Sequence, residues 1–225
     1  MKTTRERLLE IYRLLLNSLG PQHWWPGETP FEIAVGAILT QNTSWSNVEK
    51  AIANLKAAGL LDASKLHALD PEELATLVRP AGYFRVKAKR LGNFLTWLCD
   101  RYDGDMQSFE GIPTGRLREE LLAVSGIGPE TADSILLYAL NRPVFVVDTY
   151  TARVMARHGL IGEELDYPQL QDLFTSNLEP DVALFNEFHA LLVMAGKNYC
   201  KPRPHCSGCP LESLGVIPGV RNSTR

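Results

Sequence analysis

The sequence of 225 residues predicts an all-α fold. Apolar residues recur at helical spacing in one segment after another, as Leu8, Ile11 and Leu15 do near the start, and this spacing is typical of an amphipathic helix. Few segments show the alternation of apolar and polar residues that a half-buried strand requires. Glycine and proline end the helical segments, as the Gly20-Pro21 pair does after the first of them.

The predicted helices follow one another along most of the chain. Several begin at a proline, whose missing N–H costs nothing at the first helical position. They are expected near Leu8–Leu19, Pro30–Leu39, Val48–Ala58, Ala63–Leu69, Pro71–Val78, Arg85–Arg101, Thr114–Val124, Pro129–Ala139, Thr149–His158, Pro168–Leu178 and Asp181–Gly196. The sequence shows no internal repeat with the period that is typical of solenoid proteins.

Composition and charge bound the class of protein. A chain of this length forms one domain or two small ones and buries a sound core. The net charge of −3 counts against a sequence-independent DNA coat, which is normally basic. Basic residues nevertheless cluster in two places, and each group taken alone is also typical of a solvated face. The groups are Arg79, Arg85, Lys87, Lys89 and Arg90, and then Lys197, Lys201 and Arg203.

Targeting signals are not evident in the sequence. No apolar stretch approaches the length of a membrane span. The amphipathic N-terminus lacks the apolar core and small-residue cleavage site of a signal peptide. We therefore expect a cytoplasmic protein without a membrane partner.

A helix, a tight turn and a second helix are predicted around Ser125-Gly126-Ile127-Gly128. Glycine has no Cβ, so the backbone at Gly126 and Gly128 can adopt positive φ and approach another molecule closely. Backbone N–H groups at the start of the second helix suit an anion such as a DNA phosphate. An ordinary helix–helix corner is the alternative, because Gly-x-Gly alone is a weak signal.

Asp148 follows an apolar run, Val144 to Val147, and precedes a new helix. A carboxylate at the end of a buried segment is held rigidly and partly desolvated. Asp is also a strongly preferred N-cap residue. The two interpretations are compatible, because a capping carboxylate can also face a cleft.

The pattern GIGPETA, followed about twenty residues later by VVDTYTARV, resembles the helix–hairpin–helix–Gly/Pro–Asp DNA glycosylases of the endonuclease III type. The resemblance covers nearly the whole chain. It implies that Gly126, Ile127 and Gly128 grip DNA phosphates and that Asp148 is catalytic. It also implies two helical lobes with the active cleft between them.

The resemblance places the lobes along the sequence. Residues 24–136 are expected to form a six-helix barrel lobe, with the helix–hairpin–helix motif at about 116–140. Residues 1–23 and 137–225 are expected to form the lobe of N- and C-terminal helices, with a cysteine loop at 200–209.

Three further residues match DNA contacts of the family. Gln41, in LTQNT, matches the glutamine that fills the gap left by an extruded base, although a helix C-cap is the alternative. Tyr83 and Phe84, in AGYFRVKAKR, fall on a second loop that pushes against the opposite strand.

Family members that cleave the strand carry Lys where this chain has Glu130, and a carboxylate cannot form a Schiff base. The resemblance therefore implies a monofunctional glycosylase without AP lyase activity.

A tryptophan-rich group bears on the substrate. Two adjacent tryptophans in a loop are either a hydrophobic plug between subdomains or an aromatic wall for a flat ligand. WWP, LTQNT and GIGPETADSILLYA together resemble the bacterial 3-methyladenine DNA glycosylases of this superfamily. The resemblance implies that Trp24, Trp25, Pro26 and Trp45 line the base pocket, where the family has Phe at the position of Trp45.

The sequence thus predicts release of alkylated purines from double-stranded DNA by a monomer. The alternatives are a pyrimidine or mismatch glycosylase and a non-catalytic DNA-binding protein of the same fold.

The C-terminal cysteines, in YCKPRPHCSGCPL, resemble the iron–sulphur loop of endonuclease III-like proteins. Cys200, Cys206 and Cys209 match three of the four ligands, and Gly215 stands where the fourth is expected. A four-iron cluster normally needs four thiolates. The resemblance leaves open one 4Fe-4S cluster completed by water or His205, an empty loop, or zinc. Lys201 and Arg203 in this loop are expected to contact DNA.

Overall fold

A computed structural model describes residues 2–162 and 165–215, which are helical and contain no β-strand. The last ten residues of the predicted terminal-helix lobe, 216–225, lie outside the described residues. The α-helices of the described chain are α1 (Thr4–Leu19), α2 (Pro30–Leu39), α3 (Trp45–Ala57), α4 (Ala63–His67), α5 (Pro71–Leu77), α6 (Phe84–Tyr102), α7 (Thr114–Ala123), α8 (Pro129–Ser134), α9 (Thr149–Arg157), α10 (Tyr167–Thr175) and α11 (Val182–Asn198). The all-α prediction is confirmed.

Helix starts follow the capping rules that the sequence displays. Thr3 and Glu6 form a capping box at α1, and Asp166 forms the same arrangement with Gln169 at α10. Thr29 caps α2, with Pro30 at the first helical position. Each cap satisfies backbone N–H groups that have no partner within the helix.

The chain divides into two compact units, residues 25–142 and residues 1–24 with 143–225. The predicted lobes had their boundaries at 23/24 and 136/137. The second boundary falls later because the turn after α8 packs against α2 within the first unit. None of the described helices combines the length and the apolar character needed to cross a bilayer.

The unit of residues 25–142 contains α2 to α8, and α6 is its longest helix. The buried face of α6 carries Leu91, Phe94, Leu95 and Leu98, each of which is fully buried. This face packs against α2, α4 and α5. Burying each such side chain stabilises the fold by about 1.5–3 kcal/mol.

The other unit contains α1 and α9 to α11, and α11 packs against α9 and α1. An aromatic cluster fills its core. The rings of Phe145 and Phe174 stack with centroids 3.9 Å apart, and Phe185 and Phe188 meet Phe145 edge-on. The apolar run before Asp148 is therefore anchored in this core, although it forms no strand.

The helix predicted over Pro129–Ala139 changes its winding partway. It is α-helical to Ser134 and π-helical over Ile135–Ala139. The wider turn is closed by a hydrogen bond from Leu140 N–H to the Ile135 carbonyl at 3.2 Å. Such π-turns occur often at functional sites, and this one carries Tyr138.

Candidate active site

Asp148 is the N-cap of α9, as the sequence allowed. Its Oδ1 accepts hydrogen bonds from the Thr151 backbone N–H at 2.7 Å and from the Thr151 hydroxyl at 2.9 Å. The side chain is 11% exposed. One oxygen is therefore used for capping, and the orientation of the carboxylate is fixed.

The second oxygen, Oδ2, lies 3.7 Å from Nε2 of His189, a buried residue of α11. Burial alone favours the neutral form of the carboxyl group. The pKa of Asp148 is nevertheless lowered, because His189 and the two Thr151 donors stabilise the carboxylate more strongly. Asp148 is thus ionised at neutral pH and can stabilise a positive charge that develops beside it.

The hairpin between α7 and α8 has the positive φ that the sequence allowed at Gly126 but not at Gly128, whose φ is −93°. Gly126 has a φ of +98°, in the region that favours glycine. Gly128 is the N-cap of α8 and supplies no side chain to that cap. Gly126 and Gly128 are exposed, whereas the Ile127 side chain is only 5% exposed. The Ile127 side chain therefore anchors the turn, and its backbone N–H donates to the Val124 carbonyl at 3.0 Å, so the exposed backbone of the turn is that of the two glycines.

Gln41 lies against this hairpin. Its Nε2 donates to the Gly126 carbonyl at 3.2 Å and to the Thr131 hydroxyl at 2.9 Å. Its Oε1 accepts from Nη1 of Arg90. Thr40, rather than Gln41, is the C-cap of α2. Gln41 and the hairpin, both of which are predicted to contact DNA, therefore lie against each other. Arg90 contacts Gln41 as well, and the sequence assigned no individual role to this arginine.

Tyr83 and Phe84 lie at the start of α6. Tyr83 is 77% exposed and has a left-handed φ of +43°, which is uncommon for an aromatic residue. The guanidinium carbons of Arg79 and Arg85 lie 5.8 Å and 5.4 Å from the Phe84 ring centroid, and Arg85 also pairs with Glu72 at 3.3 Å. This loop presents an aromatic ring and two cations, as a DNA-contacting loop requires.

The neighbouring basic group contains an exception. Lys87 is only 2% exposed, and its Nζ donates to the Ala81 carbonyl at 2.6 Å. Burial, together with repulsion from Arg90, lowers the pKa of Lys87 to about 8. The grouping of Lys87 with the surface cations was therefore wrong, because its amine holds the turn before α6 instead of facing solvent.

Two of the predicted pocket tryptophans pack together in the unit of residues 25–142. The rings of Trp25 and Trp45 meet edge-to-face at 5.1 Å. Tyr138, from the π-helical turn, lies 5.1 Å from Trp25 at 35°. A Cβ at Gly36 would lie 3.2 Å from the Trp25 indole nitrogen, so this glycine lets the indole approach α2 closely. Pro26 is exposed beside the cluster.

Trp24 belongs to the other unit, where the ammonium of Lys197 lies 5.7 Å from its ring centroid. A cation over an indole face is a favourable contact. Sequence reasoning placed Lys197 in a basic group without a partner. In the structure the partner of Lys197 is Trp24, which is itself a predicted pocket residue.

The cysteine loop is held by two buried arginines of α9. Arg157 donates to the Cys200 Sγ at 3.1 Å and to the carbonyls of Lys201 and Pro202 at 2.7 and 2.9 Å. Arg153 donates to the Cys200 carbonyl. Lys201 and Arg203 are exposed on the same loop, as a contact with DNA requires.

The side chains of this loop do not fit a four-iron cluster as they stand. Cys200, Cys206, Cys209 and His205 line one cavity of about 20 Å³, which is room for about one water molecule. Within residues 2–162 and 165–215, no group of three or more His, Cys, Asp or Glu side chains is placed to hold a metal ion. Base release by this chain therefore does not depend on a cluster in this loop.

Several residues of these sites carried no usable signal in the sequence. His189 is a single histidine in an apolar helix, a pattern more typical of a core residue. Tyr138 lies within the quoted motif, yet its ring matters only because the π-turn brings it to Trp25. Nothing in the sequence distinguishes Arg90 from the other members of its basic group as the one that contacts the hairpin.

Comparison with known proteins identifies the family. Residues 35–180 match the model of the "HhH-GPD superfamily base excision DNA repair protein" family. The chain is 46% identical over 210 residues to a Methanocaldococcus jannaschii protein whose assignment as a DNA repair glycosylase is itself provisional, and the match covers 93% of this chain and 96% of that protein.

Two further relatives extend the comparison. The chain is 29% identical over 185 residues to endonuclease III of Thermotoga maritima, covering 82% of this chain and 81% of the relative. Its fold matches the crystal structure of the Helicobacter pylori 3-methyladenine DNA glycosylase MagIII bound to 1,N6-ethenoadenine, with a TM-score of 0.72 and 31% identity over 87% of this chain and 98% of that one. The chain therefore belongs to the HhH-GPD superfamily of base excision DNA repair proteins, and it is a DNA glycosylase of that superfamily.

Proposed function

We propose that this glycosylase releases alkylated purines, such as 3-methyladenine, from double-stranded DNA. The observation that carries the proposal is the cluster of Trp25, Trp45 and Tyr138. Trp25 and Trp45 are half-buried rings with one N–H donor each, and Tyr138, only 5% exposed, packs against Trp25. Such a surface selects an electron-poor, partly cationic base, for which a good contact with an indole contributes about 0.5–2 kcal/mol. The Helicobacter pylori relative, which is a 3-methyladenine glycosylase, supports the same substrate class.

The chemistry requires one carboxylate. Breaking the N-glycosidic bond develops positive charge on the sugar, and the ionised Asp148 stabilises that charge and orients the attacking water. An N3-alkylated adenine is already a good leaving group, so a strong general acid is not needed. The base must first leave the DNA stack, and we assign Gln41 to the gap and Tyr83 with Phe84 to the opposite strand.

We further propose that the enzyme has no AP lyase activity. Glu130 is exposed in the first turn of α8, where strand-cleaving relatives carry the lysine that attacks the sugar. A carboxylate cannot form the Schiff base that precedes strand cleavage. Water is then the nucleophile, and the product is an intact abasic strand. We expect the enzyme to act as a monomer on its DNA.

The four-iron cluster stays a prediction. Iron and acid-labile sulphide at one cluster per chain would support it. A purified protein without iron would support a loop held by Arg153 and Arg157 alone. Zinc at one ion per chain would instead show that the cysteine loop is a zinc site. None of these outcomes changes the proposed reaction, because no step uses the loop.

A base-release assay separates the proposed function from its alternatives. One arm uses methylated duplex DNA, and the other two use duplexes with thymine glycol and with uracil. Release of 3-methyladenine in the first arm supports the proposal. Release in either of the others would favour a pyrimidine or mismatch glycosylase. DNA binding without release in any arm would overturn the proposed substrate and place the base that is released outside these three lesions.

A further inference from the structure

Arg90 is joined to the hairpin and to Gln41 at the same time. Its aliphatic stem covers Gly126, where an added Cβ would lie 2.3 Å from the Arg90 Cγ. Its guanidinium donates to the Gln41 Oε1. The glycine of the hairpin is thus needed for the arginine as well as for the backbone turn.

The amide of Gln41 is engaged at both ends. Its oxygen is bound by Arg90, and its nitrogen donates to the Gly126 carbonyl and the Thr131 hydroxyl. An amide nitrogen has two donors, so both are used. Gln41 is therefore stored on the hairpin, and its amide must exchange these three hydrogen bonds before it can enter a gap in DNA.

Helix α6 holds the hairpin at a second point. Asn93, one turn after Arg90, donates to the Ser125 carbonyl at 2.8 Å. The hairpin is thus fixed to α6 even if the contact between Arg90 and Gln41 is broken. Movement of the Gln41 side chain does not require the hairpin to move.

The charge of Arg90 is not neutralised by a carboxylate. Among the described residues, no Asp or Glu lies within ion-pair distance of it. The nearby ionisable group that it influences is the buried Lys87, which is also basic. A guanidinium in this position gains more from a phosphate than from a neutral amide, because the phosphate carries the opposite charge and can accept two parallel N–H···O bonds.

We propose that Arg90 is a positioning residue that holds Gln41 against the hairpin and exchanges it for a DNA phosphate when the hairpin engages the backbone. Phosphate binding then releases the amide for the gap, so that backbone grip and base opening are coupled. This inference rests on the proposed role of Gln41 in DNA.

A double-mutant cycle tests the coupling. Arg90→Met keeps the stem over Gly126 and removes the guanidinium, and Gln41→Ala removes the amide. The measured quantities are DNA affinity at several salt concentrations and the rate of base opening from 2-aminopurine fluorescence beside the lesion. Arg116→Met, which removes another arginine of the same unit with an exposed side chain, is the matched control.

Arg90→Met is expected to reduce the salt slope of binding by about one phosphate contact, and Arg90→Lys is expected to restore it. The effects of Arg90→Met and Gln41→Ala on base opening are expected to be non-additive, because the two side chains act through one contact. Additive effects, or an unchanged salt slope in Arg90→Met, would overturn the inference.

Base release by the wild-type protein is measured in the same samples. Release of 3-methyladenine together with an additive cycle would remove the coupling and leave the proposed function intact. No release together with a non-additive cycle would remove the substrate assignment and leave the coupling intact.

Discussion

Nε2 of His189 lies 3.7 Å from Oδ2 of Asp148, the carboxylate oxygen that does not cap α9. The two residues come from different helices of one unit, and α9 and α11 pack directly against each other. The contact lowers the pKa of Asp148 against the opposing effect of burial. His189 is therefore expected to set the lower pH limit of activity.

Replacing His189 by Gln should raise the pKa of Asp148, because a group that stabilises the carboxylate is lost. A group with a lowered folded-state pKa contributes stability that is lost as pH falls through that pKa. Both the acid limb of kcat/KM and the loss of stability in acid should therefore move to higher pH. pH–rate profiles and thermal melts from neutral pH into acid measure these shifts.

His158→Gln is the matched control. His158 is a half-buried histidine of the same unit whose Nδ1 meets the Gly215 carbonyl at 2.8 Å. Its replacement should leave the acid limb of kcat/KM where it is in the wild type. Coincident acid limbs for the wild type and His189→Gln would show that His189 does not tune Asp148.

Asp148→Asn should lose base release by about 10²-fold or more, because the developing charge on the sugar loses its counter-ion. Asn is as good an N-cap as Asp, so the protein should stay folded and keep its DNA affinity, and its melting temperature should fall only by what the contact of the carboxylate with His189 contributes. Single-turnover kinetics and anisotropy measure the two effects.

The control for that substitution is Asp181→Asn, which changes the N-cap of α11 in the same way. It should retain base release, since its carboxylate is exposed and serves the helix. Near-normal turnover by Asp148→Asn would exclude Asp148 as the catalytic carboxylate.

Gly36→Ala should reduce release of the alkylated base several-fold while general DNA affinity is unchanged. The new Cβ would lie 3.2 Å from the Trp25 indole nitrogen, so this ring must shift slightly, whereas the Trp45 ring at 3.5 Å stays in ordinary contact. Gly92→Ala in α6 meets nothing within 4 Å and should only stabilise the helix, by about 0.5–1 kcal/mol. If Gly36→Ala and Gly92→Ala have equal effects on base release, the aromatic cluster does not bind the substrate base.

Arg157→Met should destabilise the protein by about 2 kcal/mol or more, because a buried guanidinium and its carbonyl partners lose their hydrogen bonds. Arg203→Met, on the exposed part of the same loop, should change stability by less than about 0.5 kcal/mol. Urea unfolding measures both. If Arg157→Met is as stable as Arg203→Met, the loop is held by other contacts.

Local features of the fold were predictable from the sequence. Pro30, Pro71 and Pro129 each occupy the first position of a helix, where the missing N–H of proline costs nothing. The predicted helix ends agree with the structure to within a few residues, because caps and glycines act over short distances. Asp148 could be singled out because an apolar run and a helix start lie on either side of it.

Contacts between distant segments were not predictable. The contact between Arg90 and Gln41 joins residues 49 positions apart, and its partners are a polar residue of the turn after α2 and one of several basic residues of α6. The π-turn that directs Tyr138 to Trp25 depends on packing against α2, since the apolar sequence of Ile135–Ala139 suits an α-helix equally well. The later boundary of the unit of residues 25–142 has the same origin.

The most direct test of the account is a competition between two duplexes in one reaction, one containing 3-methyladenine and the other thymine glycol. Mass spectrometry follows the free bases and the DNA strands from the same samples over time. We expect free 3-methyladenine to appear first, with an uncleaved abasic strand, while the thymine glycol duplex stays intact. Preferential release of thymine glycol, or cleavage of the abasic strand by the protein, would contradict the proposed reaction.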